Sequence, residues 1–228
     1  MLHGYLPALL QGAGLSLAVA FGALALALVL GLAGALAKLS GSLLARGVAQ
    51  AYTTLIRAVP DLVLMLLVFY GGQMAVNQLG EALGWGYVDI DPFVAGVGTL
   101  GFIFGAYFTE VLRGAFLAVP QGQREAALAY GFSRWQVLWR IVGPQMLRHA
   151  LPGLSNNWLV LVKATAIVSV IGLADLMNRA SQAAGATREP FVFYAAVALV
   201  YLAFTSLSEA FFAWAARRLA VGQVLGRW

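Results

Sequence analysis

A lysine inside an oily run is the residue of this sequence that most demands a chemical explanation. Lys163 stands in His149–Ala174, a 26-residue stretch that carries no other lysine, arginine or acid. It follows Pro152 by 11 positions, about 16 Å along a helix at roughly 1.5 Å per residue. An ammonium at such depth faces a cavity or a partner. It can hold a substrate carboxylate or gate a path, or it can pair with a carboxylate on a neighbouring helix; both readings stay open. Glu110 closes another apolar run and can attract a cationic solute or pair with Arg113 three residues on. Asp61 follows Pro60, where an acid suits a helix's first turn, and Arg57 beside it can anchor the chain at a membrane edge. Asn156 and Asn157 can bond between helices or line a path.

A second set of residues suggests mechanical work rather than chemistry. "REAALAYGFSRWQVLWRIVGP", 124–144, holds three arginines and one glutamate amid apolar sequence. Glu125 is expected in or near the first turn of one short helix, and Gly131 suits a left-handed cap at its end. Ser133 with Gln136 three residues later spells a capping box for a second helix. Trp135, Leu138, Trp139 and Val142 fall on one apolar stripe, and Pro144 is expected to stop the pattern. Helix, glycine elbow, amphipathic helix: such an element either lies on a membrane surface or docks to a partner.

The elements that position these residues are membrane spans. The chain has 228 residues, 61% hydrophobic and 10% charged, against about a quarter charged in soluble domains. Charge-poor runs occur at Leu6–Ala37, Leu62–Gly80, Pro92–Thr109, His149–Ala174 and Pro190–Ser208, each long enough or nearly so for the roughly 20 residues a crossing requires, the first long enough to tilt or to start with an interfacial turn. An all-α membrane protein follows, one transmembrane domain over 1–228 with five spans near 8–37, 60–80, 92–113, 150–175 and 190–216. The first run is too long, and lacks a preceding basic residue, for a cleaved signal. With the N-terminus outside, eleven of the fourteen Lys and Arg fall on inner segments: Lys38, Arg46, Arg57, Arg113, Arg124, Arg134, Arg140, Arg148, Arg217, Arg218 and Arg227. Outer segments hold only Arg179 and Arg188, with five acids: Glu81, Asp89, Asp91, Asp175 and Glu189. The expected orientation is N-terminus periplasmic, C-terminus cytoplasmic. Gly101 and Gly105, four apart in the third span, are expected to let a neighbouring helix come close. Cysteine is absent, and His3 and His149 are too far apart in sequence to suggest a zinc site, so no metal is expected.

The 120–144 stretch resembles the EAA loop of binding-protein-dependent ABC importer permeases. That pattern reads E-A-A, three residues, G, nine residues, I, one residue, L-P; here it is Glu125-Ala126-Ala127, Gly131, Ile141 and Gly143-Pro144. Gly143 departs from the leucine. "RAVPDLVLMLLVFYG", "GAYFTEVLRGAFLAVPQGQ", "LPGLSNNW" and "LVKATAIVS" are similar to the polar amino-acid branch, in particular permeases of the histidine and lysine–arginine–ornithine importer type. Ala166 stands where many relatives carry serine. The resemblance implies a type I ABC importer permease fold in the cell inner membrane. Its loop would be a coupling helix, with Glu125, Ala126, Ala127, Gly131, Ile141 and Pro144 as ATPase-coupling residues. It further implies a homologous M-type permease, a cytoplasmic ABC ATPase dimer, a periplasmic amino-acid-binding protein and a basic amino acid as substrate.

The chain itself cannot be the ATPase of Walker type. Its two lysines, Lys38 and Lys163, follow Ala37 and Val162, so no G-K-[ST] occurs; ATP would be bound by the partner, and this chain needs no cofactor. An enzyme is not expected, since no nucleophile and base converge, and the clustered basic residues serve orientation better than nucleic acid. The competing reading is an ion-coupled secondary amino-acid transporter using acids such as Glu110. A bare membrane scaffold would leave Lys163 without a role.

Overall fold

The computed structural model describes residues 4–219; His3 and Arg227 lie outside them. All regular structure among the described residues is helical: α1 (Leu6–Leu39), α2 (Leu43–Ala58), α3 (Asp61–Ala82), α4 (Pro92–Leu117), α5 (Gln121–Ala129), α6 (Arg134–Gln136), α7 (Gly143–Ala164), α8 (Leu176–Thr187) and α9 (Pro190–Leu219). Five segments are long and apolar enough to cross a membrane: Leu6–Leu39, Asp61–Ala82, Pro92–Leu117, Arg134–Ile171 and Pro190–Leu219.

Prolines and caps place the boundaries. Val59 is extended (φ −101°, ψ 139°) because Pro60 behind it disfavours the helical conformation, so α2 stops and α3 begins anew. Pro60 is therefore the N-cap and Asp61 the first helical residue. Asp91 caps α4 by accepting the Val94 N–H at 3.0 Å, and Pro92 follows at the first position, where no N–H is required. Helices α2 and α8 were not among the expected elements. Arg46 and Arg57 interrupt one, Arg179 and several polar residues the other, so neither reads as a charge-free run. Both are amphipathic and gain their stability from packing on the spans.

Pro144 does not end a helix. A π-helical turn at Val137–Val142 joins α6 to α7, which runs on through Pro152 to Ala164. A 3₁₀ segment, Thr165–Ile171, then closes at Gly172 with φ +89°. In an unbroken α-helix the Pro144 ring would collide with the Arg140 carbonyl four residues back. The wider π turn accommodates it.

The core is the seam between α1 and α4, which run parallel. Gly22 faces Val97, Leu26 faces Gly101, Leu30 faces Gly105, and Gly34 faces Thr109. Both helices advance four residues per step, and at each step a small residue lies on one side. That spacing stacks residues on one helix face, and the missing side chains bring the backbones together. Around the seam pack Val19, Met65, Phe104, Phe108, Leu161 and Val168. Polar ties secure the outer helices: Trp158 Nε1 donates to Ser208 Oγ at 2.9 Å, and Thr165 Oγ1 lies 3.1 Å from Tyr201 Oη.

Two features belong to the end where α1 begins. The segment before α4 is stitched to α3 by side-chain amides. Gln73 bonds both the Val88 carbonyl and the Ile90 N–H, and Asn77 accepts from the Val88 N–H. Asp175, past the end of the fourth apolar segment, caps α8 through the Asn178 N–H at 2.9 Å. It is fully buried, its Oδ2 has no hydrogen-bond partner, and Ser16 of α1 takes the neighbouring Leu176 N–H at 3.2 Å. Burial, partly offset by backbone N–H bonds, pushes its carboxyl from 3.8 up to about 6.

Two outcomes follow. A Cβ on Gly31 would lie 2.6 Å from Phe108 Cβ and 3.1 Å from its backbone, so Gly31→Val should lower stability in detergent by about 1–3 kcal/mol. Gly14→Ala, with nothing within 4 Å, should not; thermal unfolding of both variants checks this. An acid with a raised folded pKa contributes stability at low pH and loses it as pH rises from 3.8 toward 6. Asp175→Asn keeps an N-cap acceptor, and its melting temperature should lose the slope seen in that window.

Candidate functional site

The seam ends in a charged cluster. Lys38, one further four-residue step beyond Gly34, is nine-tenths buried and donates to Gln50 Oε1 at 2.8 Å, to Thr53 Oγ1 at 2.6 Å and to Glu110 Oε1. The second Glu110 oxygen accepts from Arg113 Nε at 3.2 Å. One carboxylate is thus shared by two cations from two helices, and α2 is tied in through Gln50 and Thr53. Three donations to three acceptors use every ammonium proton, the condition under which a buried charge is tolerated.

Beside this cluster opens a cleft of about 330 Å³ lined by Gln50, Thr53, Thr54, Arg57, Tyr107 and Glu110. Arg57 is exposed, and its guanidinium lies over the Tyr107 ring at 5.3 Å. It has no carboxylate partner among the described residues. The structure therefore brings Arg57 and Glu110 to one opening, one with its charge free and the other with both oxygens engaged.

Lys163 sits elsewhere, on α7. It is exposed and makes no ion pair among the described residues. Pro152, Asn156, Val160 and Lys163 form a continuous exposed stripe at helical spacing, with Asn157 half-buried beside it. Asp61, half-buried, stands at the start of α3. The chain does not gather these residues around one point. It leaves Lys163 and Asn156 on an open face, where lipid contact would be costly for an ammonium.

The 120–144 element is built as two helices around a left-handed glycine. Gly131 has φ +84°. Its N–H bonds the Leu128 carbonyl at 3.0 Å, and the Phe132 N–H reaches back to Ala127 at 3.1 Å. These are the two bonds of a Schellman motif, with Ala127 and Phe132 in one apolar cluster. The Ser133–Gln136 capping box forms in both directions, at 3.2 and 2.8 Å. Glu125 is not in the first turn of α5; it lies one turn further and accepts from Gln121 at 2.8 Å. The expected stripe also divides. Val142 is buried with Val137, Val119 and Ala127, whereas Trp135 and Trp139 are 67% and 65% exposed. The π turn is the reason, since its longer period carries 137 and 142, five apart, onto the inner face. Ala126 and Pro144 are exposed, and Ile141 is half-buried against the inner cluster.

Lys38 with Gln50 and Thr53 escaped sequence reasoning. A lysine at the end of an apolar run reads as an interface anchor, and its partner lies 72 residues away. Only its four-residue spacing from Gly34 hinted that it faces α4.

Three comparisons bear on this architecture. Residues 27–221 match the family described as "Binding-protein-dependent transport system inner membrane component". The chain is 52% identical over 222 residues to the histidine/lysine/arginine/ornithine transport system permease protein HisQ of Escherichia coli strain K12, covering 97% of either chain. It is 41% identical to the octopine transport system permease protein OccQ of Rhizobium meliloti, covering 88% of this chain and 85% of that one. A chain from the crystal structure of an amino acid ABC transporter with histidines superposes with a TM-score of 0.80 and 32% identity, over 94% of this chain and 95% of that one.

The charged cluster yields a double-variant test. Lys38→Met leaves the partly buried Glu110 carboxylate to Arg113 alone, with one oxygen unpaired, and should lower stability by roughly 1–3 kcal/mol. Lys38→Met combined with Glu110→Gln removes both charges and should cost less than the sum of the single variants in thermal unfolding. Additivity would show that the two residues do not act as a pair.

Proposed function

Since this chain belongs to the binding-protein-dependent transport system inner membrane component family, we propose that it is the permease subunit of an ATP-driven importer of basic amino acids. The substrates are histidine, arginine, lysine and ornithine. It is a multi-pass protein of the cell inner membrane, and its ATP hydrolysis resides on a separate chain. The N-terminus is periplasmic and the C-terminus cytoplasmic, the orientation that puts the 120–144 element beside a cytoplasmic ATPase.

The observation that carries the reading is the Gly131 elbow. A Schellman motif and a capping box set α5 at an elbow to the start of the fourth apolar segment and leave Trp135 and Trp139 exposed there. That construction suits transmission of force from an ATPase to the spans. Glu125, Ala126, Ala127, Gly131, Ile141 and Pro144 are the coupling residues. The 120–144 loop and five spans make one transmembrane domain over 1–228.

The bare α7 face supports a second permease. An ammonium and an amide on that face call for a protein neighbour or a shared water-filled path. Lys163, Asn156 and Asn157 line that path, with Asp61 at the start of α3. Arg57 offers an unpaired guanidinium to a substrate carboxylate, and Glu110 holds the cleft's shape through Lys38 and Arg113. An M-type permease, two ATPase copies and a periplasmic receptor complete the assembly. ATP-driven closure of the ATPases pulls the elbow, and the path alternates between outward and inward openings by differential binding of the two states.

Affinity purification of the chain from native membranes tests the assembly: a Walker-type ATPase and a second permease should come with it. Recovery alone, with uptake into vesicles without ATP, would establish the ion-coupled secondary transporter instead. Within the complex, Gly131→Val forces a β-branched residue to positive φ and should sever uptake from ATP hydrolysis while the chain stays in the membrane. Lys163→Met should abolish uptake with the complex assembled; dissociation of the complex would make Lys163 an interface residue.

A further inference from the structure

Helix α2 has two sides of opposite chemistry. Gln50, Thr53 and Arg57 line the cleft beside Glu110. Leu44, Val48 and Leu55 fall on a different face at helical spacing, and all three are exposed. On that apolar side a groove of about 610 Å³ opens between α2 and α1. Its walls are small residues: Ala33, Gly34 and Ala37 of α1, Ala45 and Ala49 of α2. Its rims are large and apolar, with Val29 and Leu36 exposed on α1 beside the exposed Val48 of α2.

The groove offers nothing to a polar solute. Tyr52 brings the one polar side chain of its lining, and that hydroxyl donates to the Phe102 carbonyl at 2.5 Å, the two rings lying 4.9 Å apart. A hydrocarbon chain, by contrast, gains dispersion contacts in a notch and loses no hydrogen bond by entering it.

Charge stands at one end only. The turn after α1 follows Ala37 directly: Ser40 bonds the Ala37 carbonyl through its N–H at 3.2 Å and its hydroxyl at 2.7 Å. The Ser40 carbonyl in turn accepts from Arg46 Nη2 at 3.1 Å, which holds the guanidinium at that turn. Arg46 has no carboxylate partner among the described residues. No Asp or Glu occurs from 1 to 60, and Glu110, which α4 brings to Lys38, has both oxygens engaged.

We propose that the α1–α2 groove is a phospholipid site, with one acyl chain in the groove and the phosphate of an anionic headgroup at Arg46, in the leaflet where α1 ends. Lipid bathes every outer face of a membrane protein. This face differs in being a notch of missing side chains that ends at a cation without a carboxylate, the pairing of shape and charge that a headgroup and its tail complement. The site is distinct from the cleft of Arg57 and Glu110, which lies on the other side of α2. It requires only that the apolar segments cross a bilayer and is independent of the coupling and substrate readings.

The test replaces Val48, on the groove's rim, with photoreactive p-benzoylphenylalanine in the protein purified with its native partners. The preparation is reconstituted in vesicles of equal parts phosphatidylglycerol and phosphatidylethanolamine, and the adducts are weighed by mass spectrometry. Phosphatidylglycerol should be enriched in the adduct roughly fivefold over the bilayer ratio, the effect of one basic residue on an anionic headgroup. Arg46→Gln should return the adduct to the bilayer ratio. Ala33→Phe, which fills the groove from an exposed position, should do the same, whereas Leu36→Phe on the rim should leave the enrichment intact. If Ala33→Phe fails to reach the membrane, Ala33→Leu takes its place with the same expectation. Adducts at the bilayer ratio in the unaltered groove overturn the proposal, because ordinary surrounding lipid then suffices. Enrichment that survives both Ala33 variants overturns the groove as the site. An adduct with another protein chain overturns the lipid as its occupant.

Discussion

Backbone contact between α1 and α4 is the constraint on which the rest depends. Two parallel helices come together because a glycine lies on one side or the other at Gly22, Gly34, Gly101 and Gly105. The hydrophobic effect cannot drive such an association inside lipid, so close van der Waals contact must. The seam then ends where the apolar environment ends, and there the steric lock becomes an ionic one. Lys38 meets Glu110, Arg113 completes the carboxylate, and α2 is drawn in through Gln50 and Thr53. Side-chain fit holds one end and charge the other, each in the environment where it is effective.

Much of this was legible in the residues. The apolar runs gave the five crossing segments because length and charge exclusion are physical necessities in a bilayer. Gly131, Ser133 and Gln136 announced the elbow because their roles are local, each set by contacts within five residues. What could not be read is what depends on distance. Lys38 and Glu110 are 72 residues apart, and nothing in either neighbourhood names the other. The π turn was missed for a different reason. Its trigger, Pro144, ordinarily terminates a helix, and only the surrounding bundle decides that the chain continues with a wider turn.

The chain also divides its polar groups unequally. Lys38 and Glu110 have their hydrogen bonds satisfied within the protein. Arg57 has only the Tyr107 ring, and Lys163 has no partner among the described residues. The first pair is structure. The second set is unfinished, which in a bilayer is unstable unless something else completes it. Where lipid reaches it, an exposed ammonium such as that of Lys163 is costly.

Gln73 and Asn77 have a consequence for how such chains change over generations. Their amides grip Val88 and Ile90 directly, so the register of that segment is set by side chains on a helix rather than by a turn. A residue inserted at Gly84 or Gly86 can bulge outward and leave the grip intact. One inserted at Asp89 would displace Ile90 from Gln73 and carry Asp91 off its cap on α4. Length variation among descendants should therefore gather on one side of Val88 and stop there.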